Sequence, residues 1–229
     1  MMISPESYYE IALKGKTPQE IMKEIRSLKK EINQLKRALE DPWLTGGDVP
    51  VIAIYPTPLT RIKCNRDYLK RAIRAYNDAG GKYEPTKAET KAMEFDQALE
   101  SMSKLVFKIG GFFRGWETWT CTVSDDQILM DADFLPVGEP YNPAINAHYL
   151  KGEFISGLRE LHIGEWKKSY DAPCVCDGTQ WELEIHFDGD RKPVLISGSN
   201  AYPYNFNDLM EFLGIEWNEE EEEDEQGQD

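Results

Sequence analysis

Two pairs of carboxylates occupy positions at which a β-strand would point both members of a pair to the same side. Asp131 and Asp133 lie two residues apart in the strand-like run Ile128–Phe134, and Glu182 and Glu184 repeat this spacing further along. Alternate side chains of a strand share one face, so each pair can present its oxygens together. Two such carboxylates can hold Mg²⁺ for phosphoryl transfer. The aspartate pair therefore predicts a metal-dependent hydrolase or nuclease, but the solvent-facing side of an ordinary antiparallel strand has the same pattern.

A second group of residues could bind zinc: Cys174 and Cys176, together with His162 and His186. Thiolates and imidazoles are the ligands that zinc prefers. The two cysteines are spaced C-x-C rather than C-x-x-C, and the sequence has no second cysteine pair of this kind. Incidental free thiols explain the pair better, so we expect no metal and no cofactor.

Other catalytic patterns are missing from the sequence. It contains no G-x-S-x-G or S-x-x-K motif for a serine nucleophile, and no glycine-rich loop of the kind that binds phosphates. Enzyme status stays uncertain on these grounds, and a protein without catalytic activity is favoured.

Aromatic residues give a further indication of an interaction surface. Trp116 and Trp119 are three residues apart in a β-branched run, so they point to opposite faces of a regular strand. One of them should be buried. The other, beside Phe112 and Phe113, could anchor a protein interface, although a core role for every aromatic residue is the simpler expectation.

The helix that begins after Thr17 contains a regular heptad. Thr17-Pro18-Gln19-Glu20 forms a capping box with proline in the first turn. The apolar residues then follow at spacings of four and three: Ile21, Ile25, Leu28, Ile32, Leu35 and Leu39. This stripe either packs on the rest of the fold, which we favour, or joins two chains in a parallel homodimer through residues 17–41.

Further helices are predicted around this one. Residues 4–14 form a short helix capped by Ser4, a second begins at an Asn65 cap and ends at Gly80, and Thr86–Glu89 opens a third. A short strand is predicted at 51–55. The first hundred residues are therefore mostly helical.

Strand patterns dominate the remainder. Residues 104–109, 116–123 and 128–134 predict a three-stranded antiparallel meander, 135–149 a long loop and 151–162 a helix. A hairpin from 180–187 to 194–197 follows, and then a short helix capped by Asn205. The fold class is therefore α+β, with a helical segment at 1–100, an antiparallel α+β body at 101–215 and a disordered acidic tail at 216–229.

The charge of the chain limits its partners. Its 26 basic and 41 acidic residues give a net charge of −15, and nine of the acids lie in the tail. This sign argues against direct binding to nucleic acid or to an anionic membrane, and it permits attraction to a basic protein. The sequence shows no signal peptide and no apolar run long enough to span a bilayer, so we expect a cytoplasmic protein.

Three short segments carry a resemblance to known proteins. They are residues 162–166 (HIGEW), 177–181 (DGTQW) and 198–203 (GSNAYP). In these segments the last quarter of the chain resembles hypothetical proteins of anaerobic bacteria and their mobile elements. The resemblance implies a bacterial or phage origin and assigns no activity and no site residues.

These observations favour an acidic interaction protein without catalytic activity. The sharper hypothesis is an inhibitor, encoded by a phage or mobile element, that binds a basic surface of a host nucleic-acid-handling defence complex, as anti-CRISPR proteins do. Its contacts would come from the heptad stripe, Trp116, Trp119, Glu182 and Glu184. The alternatives are the metal-dependent hydrolase and the structural homodimer.

Overall fold

A computed structural model describes residues 2–41, 55–111, 115–135, 147–172 and 178–215. The chain divides into two compact units, the first ending at Thr90 and the second beginning at Lys91. Helices and a seven-stranded mixed sheet confirm the α+β class. The strand expected at 51–55, apart from Tyr55, and the acidic tail lie outside the described residues, and the domain limits drawn from the sequence stay a prediction.

The helices belong mostly to the first unit. They are α1 (Pro5–Tyr8, continued by a π-helical turn at Tyr9–Leu13), α2 (Pro18–Glu40), α3 (Pro58–Asp78), α4 (Lys87–Ala98), α5 (Lys151–Glu160) and α6 (Phe206–Phe212). Short 3-10 turns follow α4 at Leu99–Ser101 and α5 at Ile163–Glu165.

Side-chain caps begin the first two helices as the sequence predicts. Ser4 accepts a hydrogen bond from the Ser7 backbone N–H. Thr17 and Glu20 form the complete capping box, in which each side chain bonds to the backbone of the other residue. Two otherwise unpaired N–H groups of α2 are satisfied in this way.

The predicted start of α3 is wrong. The helix begins at Pro58, and the Thr57 hydroxyl accepts from the Thr60 N–H at 3.2 Å, so Thr57 is the cap. Asn65 lies in the second turn instead and is buried. The apolar residues that follow Asn65 resemble a helix start, whereas Thr57-Pro58 is the stronger signal because proline suits the first turn.

The heptad stripe of α2 packs inside the first unit. Ile21, Ile25 and Leu28 share one core with Tyr68 and Ala72 of α3. Of the later stripe positions, Ile32 is buried, and Leu35 and Leu39 are half-buried. The predicted packing on the rest of the fold is therefore confirmed for the first half of the stripe, and the structure gives dimerisation through residues 17–41 no support.

The strands form one sheet in the second unit, in the order β4-β3-β2-β1-β6-β7-β5. Their bounds are β1 (Met102–Gly111), β2 (Gly115–Ser124), β3 (Gln127–Leu135), β4 (Ala147–Leu150), β5 (Ser169–Asp171), β6 (Gln180–Phe187) and β7 (Val194–Ser199). The meander β1-β2-β3 and the hairpin β6-β7 agree with the sequence prediction. All neighbours are antiparallel except β5 and β7.

Both edge strands depart from the prediction. β4 occupies the end of the segment expected to be a loop, where it pairs with β3. β5 has three residues, runs parallel to β7 and has no sequence pattern of its own. Strands this short form because a neighbouring strand offers hydrogen bonds, and local sequence does not carry that information.

Helices α5 and α6 cover one side of the sheet. The ring of Phe107 in β1 lies 6.0 Å from that of Phe206 in α6, and Phe154 in α5 lies 4.8 Å from Phe212. The side chains of Leu183 and Ile185 in β6 are also buried on this side. We call this side the covered face, and the opposite one, defined by its side chains below, the open face.

Candidate functional site

The open face is mostly polar and is built from alternate residues of the strands, although the registers also place four aliphatic side chains on it: Val106, Leu129, Leu150 and Leu195. The paired registers place the following side chains on it: Lys104 and Lys108 (β1), Thr118, Thr120 and Thr122 (β2), Asp131 and Asp133 (β3), Glu182, Glu184 and His186 (β6), Ser197 and Ser199 (β7), and Ser169 and Asp171 (β5). Because strand side chains alternate between faces, the apolar residues between them fill the covered face.

The aspartate pair lies on this open face, as the spacing predicts. Asp131 is opposite Thr120 and Asp133 is opposite Thr118 in the β2–β3 ladder. Both carboxylates are exposed, and neither forms an ion pair with a described residue. A tight turn with Asp125 at φ +53° joins the two strands, so a short, regular hairpin holds the pair. The arrangement is two uncompensated negative charges on a rigid strand.

The glutamate pair has closer compensation. Glu182 is opposite Lys108 in β1, and the Glu184 carboxylate lies 3.1 Å from His186 Nε2. Glu182 is exposed and Glu184 is half-buried. Opposite charges placed across a strand pair attract each other. The negative charge of these two carboxylates is therefore partly offset within the sheet. The negative charge that the open face presents to a partner is therefore greatest at β3.

The described residues contain no metal centre of the expected kind. Across the described ranges, no group of three or more histidine, cysteine, aspartate or glutamate side chains is placed to hold a metal ion. The zinc proposal needs Cys174 and Cys176, which lie outside those ranges. Its two histidines are apart: His186 is on the open face, and His162 follows α5, which packs on the covered face.

Trp116 and Trp119 point to opposite faces, as their odd spacing predicts. Trp119 is buried on the covered face, and Trp116 is half-buried on the other side. Gly110 lies opposite Trp116, and a Cβ at Gly110 would come within 2.2 Å of the Gly115 carbonyl oxygen and 3.0 Å of the indole. The glycine therefore makes room for the backbone of β2 and for this ring. Phe112 and Phe113, the expected neighbours at an interface, lie outside the described residues.

Cys121 is buried on the covered face between Trp119 and the next inward residue of β2. Burial raises the pKa of its thiol to about 12. A thiol that stays protonated is a poor nucleophile. Cys121 is therefore a buried core residue.

The three segments of the resemblance meet around a buried aromatic cluster. Trp181 packs against Trp166, with ring centres 6.4 Å apart and planes at 82°, and against Phe206 at 5.0 Å. Its Nε1–H donates to the Ala201 carbonyl at 3.0 Å. Gly198 lies beside it, and a Cβ there would come within 2.3 Å of Trp181 Nε1. Packing in this cluster therefore explains why Trp181 and Gly198 occur in these segments.

Asn205 completes the cluster in a role that the sequence does not reveal. It stands at the predicted cap position of α6 but makes no capping hydrogen bond. Instead its Nδ2 donates to the Leu161 carbonyl at 2.8 Å, and its Oδ1 accepts from Trp166 Nε1 at 3.1 Å. The expectation that the Asn205 side chain caps the helix is wrong, because a buried amide is better used to satisfy two other buried groups.

An ionic cluster in the first unit joins α2 to the start of α4. Lys29 forms an ion pair with Glu89 at 2.6 Å and a short hydrogen bond with the Tyr83 hydroxyl, which donates to Glu89 at 2.7 Å. Partial burial alone would raise the pKa of Glu89. The hydrogen bonds from Lys29, Tyr83 and the Thr86 backbone outweigh it and lower that pKa to about 2. Thr86 and Glu89 also form the predicted capping box, so the cluster is structural.

Comparison with known proteins adds no assignment: neither the family models, nor the curated proteins, nor the solved structures contain a match to this chain. The resemblance drawn from the three segments stays a prediction. Among the described helices, none has the combination of length and apolar character needed to cross a membrane.

Proposed function

We propose that this protein is a non-enzymatic interaction protein whose open face binds a basic surface on another protein. The observation that carries the proposal is the exposed aspartate pair of β3, two carboxylates on a rigid strand without an ion-pair partner among the described residues. A carboxylate left without a cation gains most when a cation of a partner approaches it.

The charge of the second unit supports this proposal. From Lys91 onward the sequence has 10 basic and 29 acidic residues, an excess of 19 acids that is larger than the net charge of −15 for the whole chain, because residues 1–90 have more basic than acidic residues. Such a field raises the rate at which a basic partner arrives. The field alone would attract many cations, whereas the fixed spacing on β3, about 6.8 Å between alternate residues of a strand, adds a geometric requirement.

The finer proposal concerns the kind of partner. A strip of carboxylates and hydroxyls on a sheet resembles the polyanion that a nucleic-acid groove is built to bind. The partner would then be the basic groove of a host nucleic-acid-handling complex, and the protein would act as its inhibitor, encoded by a phage or mobile element. If the protein binds in this way, it should compete with nucleic acid for the basic groove of the partner.

The experiment compares two double variants of equal charge. Asp131→Asn/Asp133→Asn removes the pair on β3, and Asp188→Asn/Asp190→Asn removes two exposed aspartates of the β6–β7 turn, which lie outside the strands. A partner is first captured with the full chain and identified. Association and dissociation rates are then measured by surface binding at two salt concentrations, with and without nucleic acid.

We expect the open-face variant to dissociate at least about 10-fold faster, since losing a charged partner of a rigid contact acts mainly on dissociation. The turn variant should change only the association rate and its salt dependence. Equal dissociation rates for both variants would contradict the proposal. Turnover of a phosphodiester that requires Mg²⁺ and is lost in the open-face variant would favour the hydrolase instead.

A further inference from the structure

The two units have charges of opposite sign, which the net charge of the chain conceals. Residues 1–90 contain 16 basic and 12 acidic residues, against 10 and 29 in the remainder. The exclusion of nucleic acid as a direct partner rests on the charge of the whole chain. It does not hold for the first unit, whose excess of cations is concentrated on its helices.

One face of α2 carries a stripe of unpaired cations. We call it the basic stripe: Lys23, Arg26, Lys30 and Arg37, with Ser27, Asn33 and Gln34 between them. All seven side chains are exposed. Spacings of three, four and seven residues keep them on one side of a helix. The buried residues Ile21, Ile25 and Leu28 lie on the other side, so the stripe faces away from the core.

Three of the four acidic residues of α2 have partners outside the basic stripe, and the fourth, Glu40, also has an interaction of its own. Glu20 belongs to the capping box with Thr17. The Glu24 carboxylate accepts from the Tyr8 hydroxyl at 2.7 Å, and Glu31 pairs with Arg61 at 2.6 Å. No ion pair within the described ranges involves any of the four cations of the stripe. An ordinary solvent-facing helix mixes both signs in i,i+4 pairs, whereas this face carries positive charge alone.

The composition of the stripe favours a polyanion over a protein or a membrane. A protein interface depends on apolar or aromatic anchors at its centre, and the basic stripe has none. A helix that lies on a membrane inserts its apolar side, and here that side is packed against α3. A phosphodiester backbone needs neither an apolar anchor nor an apolar helix side, since cations alone neutralise it.

We propose that the basic stripe binds duplex DNA, with α2 lying along the major groove and its cations on the flanking phosphates. From Lys23 to Arg37 the helix rises about 21 Å, and the major groove, about 12 Å wide, admits a helix of this kind. Asn33 and Gln34 lie between cations, and amide side chains can bond to base edges. The deep, narrow major groove of duplex RNA would not admit the helix. This function is additional to the binding of a basic protein by the open face.

The test measures binding of the full-length protein to a labelled duplex of about 20 base pairs at several salt concentrations. Four neutralised phosphates give a slope of log affinity against log salt of about −3.6, or about a 150-fold loss between about 50 and 200 mM salt. The variant Arg26→Gln/Lys30→Gln/Arg37→Gln retains one of the four cations, so its slope should fall to about −0.9. Glutamine preserves the helix, and an unchanged melting temperature checks the fold.

A matched control removes three other cations of the same unit. Lys14, Lys70 and Lys82 are exposed and already form ion pairs with Glu10, Asp67 and Glu84. Changing all three to glutamine should leave the slope unchanged. Absence of duplex binding by the wild type at about 50 mM salt would overturn the proposal, as would equal slopes for the two variants. Tighter binding to duplex RNA, or a stripe-dependent binding to anionic vesicles in place of DNA, would overturn it as well.

Discussion

Single residues of this protein follow local rules where the chain around them is exposed and tertiary rules where it is buried. The capping box of Thr17 and Glu20 forms at the surface, and its spacing alone predicts it. Asn205 has an equally good cap position, yet its amide bonds to Leu161 and Trp166, which lie far from it in sequence. No pattern of adjacent residues contains that information, because the partners are brought together by packing.

We expect Asn205→Ala to lower the free energy of unfolding by about 2–4 kcal/mol, since two buried polar groups lose their partner at once. The variant Asn205→Ser distinguishes the hydrogen bonds to Leu161 and Trp166 from helix capping. Serine is a good cap residue but is too short to join Trp166 to Leu161. It should therefore be as destabilising as alanine. Urea unfolding followed by tryptophan fluorescence measures both, because five of the six tryptophans lie beyond Thr90; recovery of stability by serine would assign Asn205 to capping after all.

Helices and strands of regular period are predicted well from the sequence, and short elements that depend on a neighbour are not. The heptad of α2 and the alternation of β6 each contain enough periods to identify the element and its buried side. β5 has three residues and exists only beside β7. The open face follows the same logic: the sequence predicts that Asp131 and Asp133 share a side, but not which strands lie next to them.

At the scale of the helix pair, Leu28→Asp tests whether the heptad stripe is the seam between α2 and α3. Leu28 is only 5% exposed, so the carboxylate would be buried without a partner. We expect a loss of about 3–5 kcal/mol in the free energy of unfolding. Ser27→Asp places the same charge on the exposed neighbour and should cost less than about 0.5 kcal/mol.

Circular dichroism of the helix signal against urea measures the two variants, and light scattering gives the mass of each. A Leu28→Asp protein with wild-type stability would show that the stripe is not a seam. A wild-type mass of two chains that becomes one chain in Leu28→Asp would restore the homodimer, which the packing of Leu28 on α3 does not support.

The whole molecule combines a unit with an excess of basic residues and a unit with an excess of acidic ones, and we propose a partner of the opposite sign for each. Charge counted over the full chain gives −15 and suggests one acidic object. Counted by unit, the same residues give an excess of basic residues up to Thr90 and an excess of acidic residues from Lys91 onward. Sequence composition gives the net charge of the whole chain reliably. Dividing that charge between the two units requires the position at which one compact unit ends.

If the two proposed binding surfaces are separate, the two sets of variants should not affect each other. The Asp131→Asn/Asp133→Asn protein should bind duplex DNA with the wild-type salt slope. The variant lacking Arg26, Lys30 and Arg37 should dissociate from the protein partner at the wild-type rate. Both measurements use the assays described above. A loss of both activities in either variant would show that the two surfaces act as one site.

The aromatic cluster around Trp181 also gives the second unit an optical signature. Trp166 and Trp181 are held edge to face at 6.4 Å, and Tyr170 lies 5.8 Å from Trp181. Aromatic rings fixed at such distances in a chiral surrounding produce strong bands in near-ultraviolet circular dichroism, and those bands vanish when packing loosens while secondary structure survives. The protein thus carries an intrinsic spectroscopic reporter of its own tertiary order, which needs no label and no added chromophore.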